Sequence, residues 1–186
     1  PNEPKYAFSA VFVMDKNAQI KERWFGKTLI ESDKRFTYEE AQEILDKGTG
    51  IFAEELKTLN ELAKKLRAEK FRKGAIDFET EEVKFELDNL GKPIRVYKKE
   101  RKDTNKLIED FMLLANREVA SFVNKKIKEK GKGFFLYRIH DLPNPEKLAE
   151  LSLFLRALGF EFDVTDKPVS PKEINLLLKK IEGSDQ

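Results

Sequence analysis

Residues 106–116 place two polar side chains among apolar ones at helical spacing, an arrangement that could bind a ligand. Glu109, Met112, Leu113 and Asn116 are separated by three, four and seven positions, so they share one face of a helix. Apolar residues cover nearly the whole circumference, and we expect this face to be buried. A carboxylate and an amide there need partners because unpaired burial is costly. They form either an internal hydrogen-bond network or one wall of a cavity that holds a polar ligand.

Residue types elsewhere do not assemble into a complete catalytic site. The sequence has a single histidine, His140, and no strand–serine–helix elbow, which argues against a serine triad. We interpret His140 as a hydrogen-bonded structural residue. There is no glycine-rich phosphate loop and no cysteine/histidine cluster with metal-binding spacing. The acidic clusters occupy positions typical of exposed helices or turns, and none resembles the closely spaced aspartates of a two-metal nuclease: Glu39–Glu40, Glu54–Glu55, and Glu79 with Glu81 and Glu82.

The charge of the chain is balanced overall and uneven locally. Its 186 residues include 36 basic and 34 acidic side chains, a net charge of +2, so it is not a polycation that binds phosphate by charge alone. Basic residues nevertheless concentrate in two clusters, which are either solvated faces or a surface that follows a phosphate backbone. The clusters are Arg95, Lys98, Lys99, Arg101, Lys102 and Lys106, and Lys125, Lys126, Lys128, Lys130 and Lys132.

Composition also limits where the protein works. No apolar run approaches the roughly 20 residues that a membrane-spanning helix needs, and the start lacks a signal peptide. Zero cysteines exclude a disulfide framework. We therefore expect a cytoplasmic protein with no membrane partner. The chain begins without methionine and enters a strand pattern almost at once, which predicts a piece of a longer protein.

Strand patterns occur in pairs. Residues 6–14 and 18–29 flank a turn at Asp15-Lys16-Asn17, and residues 82–87 and 93–98 flank a second turn at 88–92, so both pairs are predicted hairpins. Residues 134–139 are predicted to form a short aromatic strand. No repeated strand–helix–strand pattern occurs. The fold class predicted is α+β, with antiparallel hairpins packed against helices.

Helix signals separate these strands. Thr37 and Glu40 form a capping box, so a helix should run to about Lys47 with Tyr38 at its first position and its side chain outward. A longer helix is predicted from about 52 to 72, with one apolar stripe. The longest, 104–130, should be capped by Asp103 or Thr104.

Two further helices are predicted near the end of the sequence. Asn144-Pro145 opens the first, and Gly159 ends it. Ser170 and Glu173 form a second capping box, which opens a last helix of only about ten residues. Because that helix is short, we expect its packing partner to lie outside these residues.

Four segments in order resemble the ribonuclease II/ribonuclease R family, more closely the ribonuclease R type. They read Arg-Phe-Thr-Tyr at 35–38, Gly-Ala-Ile-Asp-Phe-Glu-Thr-Glu-Glu-Val-Lys-Phe at 74–85, Lys-Leu-Ile-Glu-Asp-Phe-Met-Leu-Leu-Ala-Asn at 106–116 and Leu-Tyr-Arg-Ile-His-Asp-Leu-Pro at 136–143. Their order and spacing match the middle of the family's RNA-cleaving domain, the RNB domain. The resemblance covers essentially the whole chain, so residues 1–186 are predicted to be the central part of that domain.

The resemblance implies a processive, magnesium-dependent 3′-to-5′ exoribonuclease that releases nucleoside 5′-monophosphates from single-stranded or structured RNA by a two-metal attack of water. It also implies that the metal-binding aspartates lie upstream of Pro1 and that a Thr-Ser-Pro-Ile-Arg-Arg stretch lies downstream of Gln186. The flanking OB-type RNA-binding domains are not among these residues either. We therefore expect these residues alone to be inactive, monomeric and free of Mg²⁺, which belongs to the full-length enzyme.

Three positions match family residues with roles at the RNA 3′ end. Tyr38 matches a tyrosine that packs on the terminal base, and Phe78 matches an aromatic that closes the other side of the base stack. Glu109 matches an auxiliary glutamate near the terminal nucleotide. The family usually has histidine where this chain has Asn105, and no role is assigned to Asn105. Ordinary packing remains an alternative for both aromatic residues.

Two other functions stay open. A self-standing, non-catalytic RNA-binding or interaction module would carry the same basic clusters and aromatic residues. A metal hydrolase that uses the carboxylates present is a third, weaker hypothesis. The gene sequence around this segment distinguishes them, because an exonuclease requires aspartates before it and the arginine motif after it.

Overall fold

The computed structural model describes residues 2–76, 83–98, 100–139, 141–162 and 169–182. Within these ranges lie four strands in two antiparallel hairpins and five helices, which confirms the predicted α+β class. The chain divides into two compact units. The first comprises Pro1–Glu69 with Thr80–Phe135, and the second comprises Lys70–Glu79 with Leu136–Gln186.

The first hairpin forms where the strand patterns predicted it. Strands β1, Lys5–Met14, and β2, Ile20–Ile30, pair antiparallel with Lys5 opposite Ile30. Between them the Asp15 Oδ1 accepts hydrogen bonds from the amides of Asn17 at 2.9 Å and Gln19 at 3.0 Å. Aspartate commonly stabilises turns in this way, because its carboxylate accepts hydrogen bonds from backbone amides that follow it in the chain.

Helix α1, Tyr38–Lys47, begins at the predicted capping box. The Glu40 amide donates to Thr37 Oγ1 at 3.1 Å, and the Thr37 amide donates to Glu40 Oε2 at 2.8 Å. This second bond also lowers the pKa of the Glu40 carboxyl, because a donated hydrogen bond favours the charged form. Gly48, in the left-handed region at φ 68°, ends the helix.

Two long helices follow in the chain, and the predicted cap of the second is wrong. Helix α2 spans Ala53–Arg72 and helix α3 spans Asp103–Lys130. The residue before α3 is Lys102, whose amide donates to the Asn105 Oδ1 at 3.1 Å. Asp103 and Thr104 do not cap because both lie inside the helix and bond to neighbouring helices instead. Asn105 thus acquires a local structural role that the sequence did not assign.

The second hairpin lies between α2 and α3 in the chain. Strands β3, Val83–Leu87, and β4, Pro93–Lys98, pair with Val83 opposite Lys98, as predicted. Its turn is stabilised like that of the first hairpin. Asp88 Oδ1 accepts hydrogen bonds from the Leu90 amide at 2.8 Å and the Lys92 amide at 2.9 Å. Every side chain of both strands is exposed.

The first hairpin packs against the middle of α3. Phe25 stacks on Phe122 with ring centroids 4.6 Å apart, and Phe12 meets Phe25 edge-on at 6.0 Å. Arg23 also lies 3.1 Å from the Glu118 carboxylate. Such aromatic pairs stabilise by roughly 0.5–1.5 kcal/mol beyond the area that they bury.

The second unit contains helices α4, Pro145–Ala157, and α5, Pro171–Glu182. Their caps are the predicted ones, Asn144 for α4 and the Ser170–Glu173 box for α5. Leu177 of α5 packs with Leu155 of α4 and with Phe162 in one buried cluster. The expectation that α5 lacks a partner among these residues is therefore wrong, because even a short amphipathic helix can bury one leucine against its neighbour.

The aromatic strand predicted at 134–139 is also wrong. These residues adopt no regular secondary structure, and Phe134 is 92% exposed. A strand needs a backbone partner, and the described residues provide none for this segment. His140 lies outside the described residues. Among the helices that are described, none is both long and apolar enough to cross a membrane.

Candidate nucleic-acid interface

Tyr38 lies at the first position of α1, as predicted, and its side chain is 45% exposed. Residues in the first helical turn have few neighbours on the solvent side, so an aromatic ring there can pack on a planar ligand. The exposure meets the first requirement for a base-stacking side chain.

Thr104 connects Tyr38 to α3. Its hydroxyl donates to the Tyr38 carbonyl at 3.0 Å, and its amide donates to Gln42 Oε1 at 3.2 Å. The residue is 4% exposed. Two of the polar groups at the start of α3 therefore bond to the first turns of α1, and the two helix starts are held together by directional contacts.

Glu109 lies one and a half turns further along α3. Its side chain is 42% exposed, and Arg101 forms an ion pair with its Oε2. Both partners are partly solvated, so this pair stabilises the fold by at most about 1 kcal/mol. A partly exposed carboxylate paired with a partly exposed guanidinium can exchange partners with a ligand at low cost.

The expected burial of the Glu109 face is wrong. Met112 is exposed, as are Leu113 and Asn116. The buried positions of α3 lie on another face and are Thr104, Leu107, Asp110 and Leu114. Periodicity could not choose between the faces, because α3 is apolar nearly all the way around. The internal hydrogen-bond network does not hold as stated, since the Arg101 partner of Glu109 lies at the surface, and a ligand contact at Glu109 stays a prediction.

The polar group that α3 does bury is Asp110. This side chain is 4% exposed, and both Nε and Nη2 of Arg67 approach its Oδ2, at 2.9 Å and 2.8 Å. The first contact is a hydrogen bond and the second an ion-pair contact. Sequence reasoning missed this pair. A signal existed, since Asn60, Ala63 and Arg67 share the inner face of α2 at spacings of three and four.

Asp103 makes a second connection between α2 and α3. Lys64 Nζ lies 2.9 Å from Asp103 Oδ2, and Asn60 Nδ2 donates to the same oxygen at 3.4 Å. The Lys64 ammonium lowers the pKa of the Asp103 carboxyl, with Asn60 contributing in the same direction. Asp103 and Asp110 are seven residues apart, two helical turns, so the two contacts fix α3 along one line of α2.

Two of the three predicted site residues lie in the described part of the chain. Tyr38 and Glu109 belong to the same compact unit, on helices joined through Thr104. Phe78 lies outside the described residues. Among the residues that the structure describes, no group of three or more histidines and carboxylates could hold a metal ion. The Mg²⁺ that the family resemblance implies would have no such ligand group among the described residues, and its place in the whole protein stays a prediction.

Each of the two basic clusters includes a residue that forms an ion pair with a glutamate. In the first, Arg95 and Lys98 lie exposed on β4, while Arg101 pairs with Glu109. In the second, at the end of α3, Lys126 lies 3.0 Å from Glu129, which lowers the pKa of that glutamate. Both clusters lie in the first unit, the one that also carries Tyr38 and Glu109.

Comparison with known proteins gives a consistent assignment. The RNB domain model matches residues 1–186. The chain is 36% identical over 181 residues to DIS3-like exonuclease 2 of Schizosaccharomyces pombe, covering 89% of this chain and 19% of that protein. It is 30% identical over 201 residues to the inactive exonuclease DIS3L2 of Arabidopsis thaliana, covering 99% of this chain and 18% of that protein.

A solved structure supports the same fold. Mycoplasma genitalium RNase R in complex with ribose methylated single-stranded RNA superimposes with a TM-score of 0.84 at 21% identity, covering all of this chain and 29% of that one. The chain thus spans about a fifth of the length of the curated relatives given above. The family model extends over every residue, and the relatives cover nearly as much, so the chain belongs to the RNB-domain family.

Proposed function

We propose that this chain is the central segment of the RNA-cleaving domain of a processive 3′-to-5′ exoribonuclease. The whole enzyme would degrade single-stranded or structured RNA to nucleoside 5′-monophosphates in the cytoplasm, with Mg²⁺ as cofactor. The observation that carries the proposal is the RNB domain match over the full chain, together with a half-exposed Tyr38 on a helix bonded to the one that bears Glu109.

In this proposal the described residues bind and position RNA rather than cleave it. The Tyr38 ring stacks on the base at the 3′ end, an interaction that contributes roughly 1–3 kcal/mol per base and accepts any sequence. Phe78 closes the stack on its other side. Glu109 lies near the terminal nucleotide, where its carboxylate accepts a hydrogen bond from the sugar in place of the Arg101 guanidinium.

The metal ions are held outside the described residues in this proposal, because no fitting ligand cluster occurs among them. We propose that these 186 residues alone are monomeric and release no mononucleotides. The direct test incubates the purified chain with labelled single-stranded RNA and Mg²⁺ or Mn²⁺, beside the full-length protein that contains it. Mononucleotides are expected from the full-length protein and not from the 186-residue chain. Their release by the chain in proportion to its concentration, surviving repurification, would contradict the proposal.

A second candidate function is a non-catalytic RNA-binding protein. The observation that favours it is the 30% identity to a relative named as an inactive exonuclease. Under this alternative the full-length protein would also release no mononucleotides.

RNA affinity separates the candidates further. As an excised segment, the chain should bind RNA weakly and through the two basic clusters, so its affinity should fall steeply with salt. Salt dependence is measured as the slope of the logarithm of RNA affinity against the logarithm of salt concentration. Replacement of Arg95 and Lys98 by serine should reduce this slope by about one unit for each phosphate that the variant no longer binds. Tight binding that is insensitive to salt would favour the self-standing module.

A further inference from the structure

We infer that Thr104 is a positioning residue, which sets where the Tyr38 ring lies relative to the helix that carries Glu109. The inference rests on the proposed function, in which those two side chains contact the RNA 3′ end. No motif in the sequence points to Thr104, which was predicted only as a possible helix cap. The structure assigns its hydroxyl to another helix instead.

Two independent bonds from Thr104 reach the start of α1. The hydroxyl donates to the Tyr38 carbonyl at 3.0 Å, and the amide, one of the first-turn amides that a helix leaves without an internal acceptor, donates to Gln42 Oε1 at 3.2 Å. Thr104 is 4% exposed, so water competes poorly for either bond. The contact therefore fixes the backbone at Tyr38 itself, rather than a distant part of α1.

Fixing that backbone matters because Tyr38 is 45% exposed, so packing restrains its ring only in part and the position of its Cα carries more weight. Glu109 lies five residues beyond Thr104 on the same helix, about 7.5 Å along its axis. Because Thr104 and Glu109 lie on the same helix, their separation is constant. The Thr104 bond to the Tyr38 carbonyl therefore sets the distance between a base stacked on Tyr38 and a sugar that contacts Glu109.

The hydroxyl makes the bond that a substitution of Thr104 can remove, and the amide bond to Gln42 adds to the same restraint. Valine has nearly the same shape but cannot donate to the Tyr38 carbonyl, whereas serine keeps the donor and loses only a methyl group. Thr104→Val should therefore loosen the start of α1, and Thr104→Ser should not. Thr58, an exposed threonine on α2, offers a matched control for the loss of one hydroxyl.

The test uses the full-length protein and measures the length of the final undigested RNA, together with kcat/KM on single-stranded RNA. Thr104→Val should change the final length in the same direction as Tyr38→Ala. It should also lower kcat/KM about twofold to tenfold, the change that corresponds to one hydrogen bond. Thr104→Ser should restore both values, and Thr58→Val should leave both unchanged. A structural role alone would lower the melting temperature without moving the final length.

The outcomes separate the inference from the proposed function. If Tyr38→Ala changes the final length and Thr104→Val does not, the positioning role is wrong and the stacking role stands. If neither variant changes it, stacking on Tyr38 fails and positioning fails with it. Should Thr104→Val not fold, Gln42→Met removes the acceptor of the Thr104 amide and keeps the hydroxyl. A smaller shift of the same sign then supports the inference, and an unchanged length overturns it.

Discussion

Two adjacent carboxylates on α3, each paired with an arginine, lie in opposite environments. Asp110 faces α2 and is buried with Arg67, while Glu109 faces solvent and pairs with Arg101. Residue type and pairing are alike, so burial decides what each can do. The buried pair fixes α3 against α2 and cannot exchange its partner without leaving a charge uncompensated. The exposed pair contributes little to the fold and remains accessible to a ligand.

Removal of one buried charge should give the largest effect on stability. Asp110→Ala leaves the mostly buried Arg67 side chain without its carboxylate, and such losses cost up to about 3–5 kcal/mol. The neighbouring Glu109→Ala removes the exposed pair and should cost at most about 1 kcal/mol. Urea unfolding of both variants measures the difference. Equal losses of unfolding free energy would show that burial does not distinguish the two pairs.

A paired substitution sharpens this result. Arg67→Met with Asp110→Leu replaces the buried pair by apolar side chains of similar volume, a change that is often neutral or stabilising. The double variant should therefore recover most of the stability that Asp110→Ala loses. If it remains as unstable as the single variant, the loss reflects packing rather than an uncompensated charge.

The exposed carboxylate, Glu109, should affect RNA degradation more than it affects stability. In the full-length protein, Glu109→Ala should slow turnover by about tenfold, equivalent to about 1.4 kcal/mol, without abolishing it, because the proposed function assigns the metals to other residues. Glu109→Gln, which keeps the shape and removes the charge, distinguishes a hydrogen-bond role from a charge role. Single-turnover degradation of labelled RNA gives the rate. Unchanged turnover in both variants would remove Glu109 from the site.

Asp103 should produce the smallest effect, and one that depends on pH. Lys64 lowers the pKa of this carboxyl in the folded chain, so the stabilisation is complete above the unfolded pKa of about 3.9 and is lost as the pH falls through the lowered folded pKa. Lys64→Met should therefore reduce the unfolding free energy near neutral pH and match the parent chain in strong acid. Lys57→Met, an exposed change on the same helix, is the control. A Lys64→Met deficit that persists unchanged in strong acid would contradict this assignment.

The features predicted correctly from sequence are those that local chemistry determines. The Thr37–Glu40 and Ser170–Glu173 boxes bond across three residues, and the helices begin where these boxes place them. Side-chain contacts between helices were not predicted. Thr104 reaches a residue 66 positions away and Arg67 one 43 positions away, and no local pattern contains that information. The failed strand at 134–139 shows the same limit, since strand propensity does not supply a pairing partner.

The candidate site likewise contains one feature that the sequence predicted and one that it did not. The outward position of Tyr38 follows from the capping box, so exposure was predictable. The solvent-facing position of Glu109 was not, because the surrounding face is apolar in sequence and exposed in the structure. The association of both residues with an RNA 3′ end came from family resemblance, and it stays a prediction.

Photo-crosslinking tests that association most directly. RNA that carries 4-thiouridine as its 3′-terminal nucleotide is bound to the full-length protein without divalent metal, irradiated and digested with trypsin. Because trypsin cleaves after Arg35 and Lys47, the peptide 36–47 contains Tyr38 and no other tyrosine. If Tyr38 stacks on the terminal base, a crosslink to this peptide is expected, Tyr38→Ala should abolish it, and a 5′-terminal probe should not give it. Crosslinks of the 3′ probe confined to other peptides would contradict stacking on Tyr38.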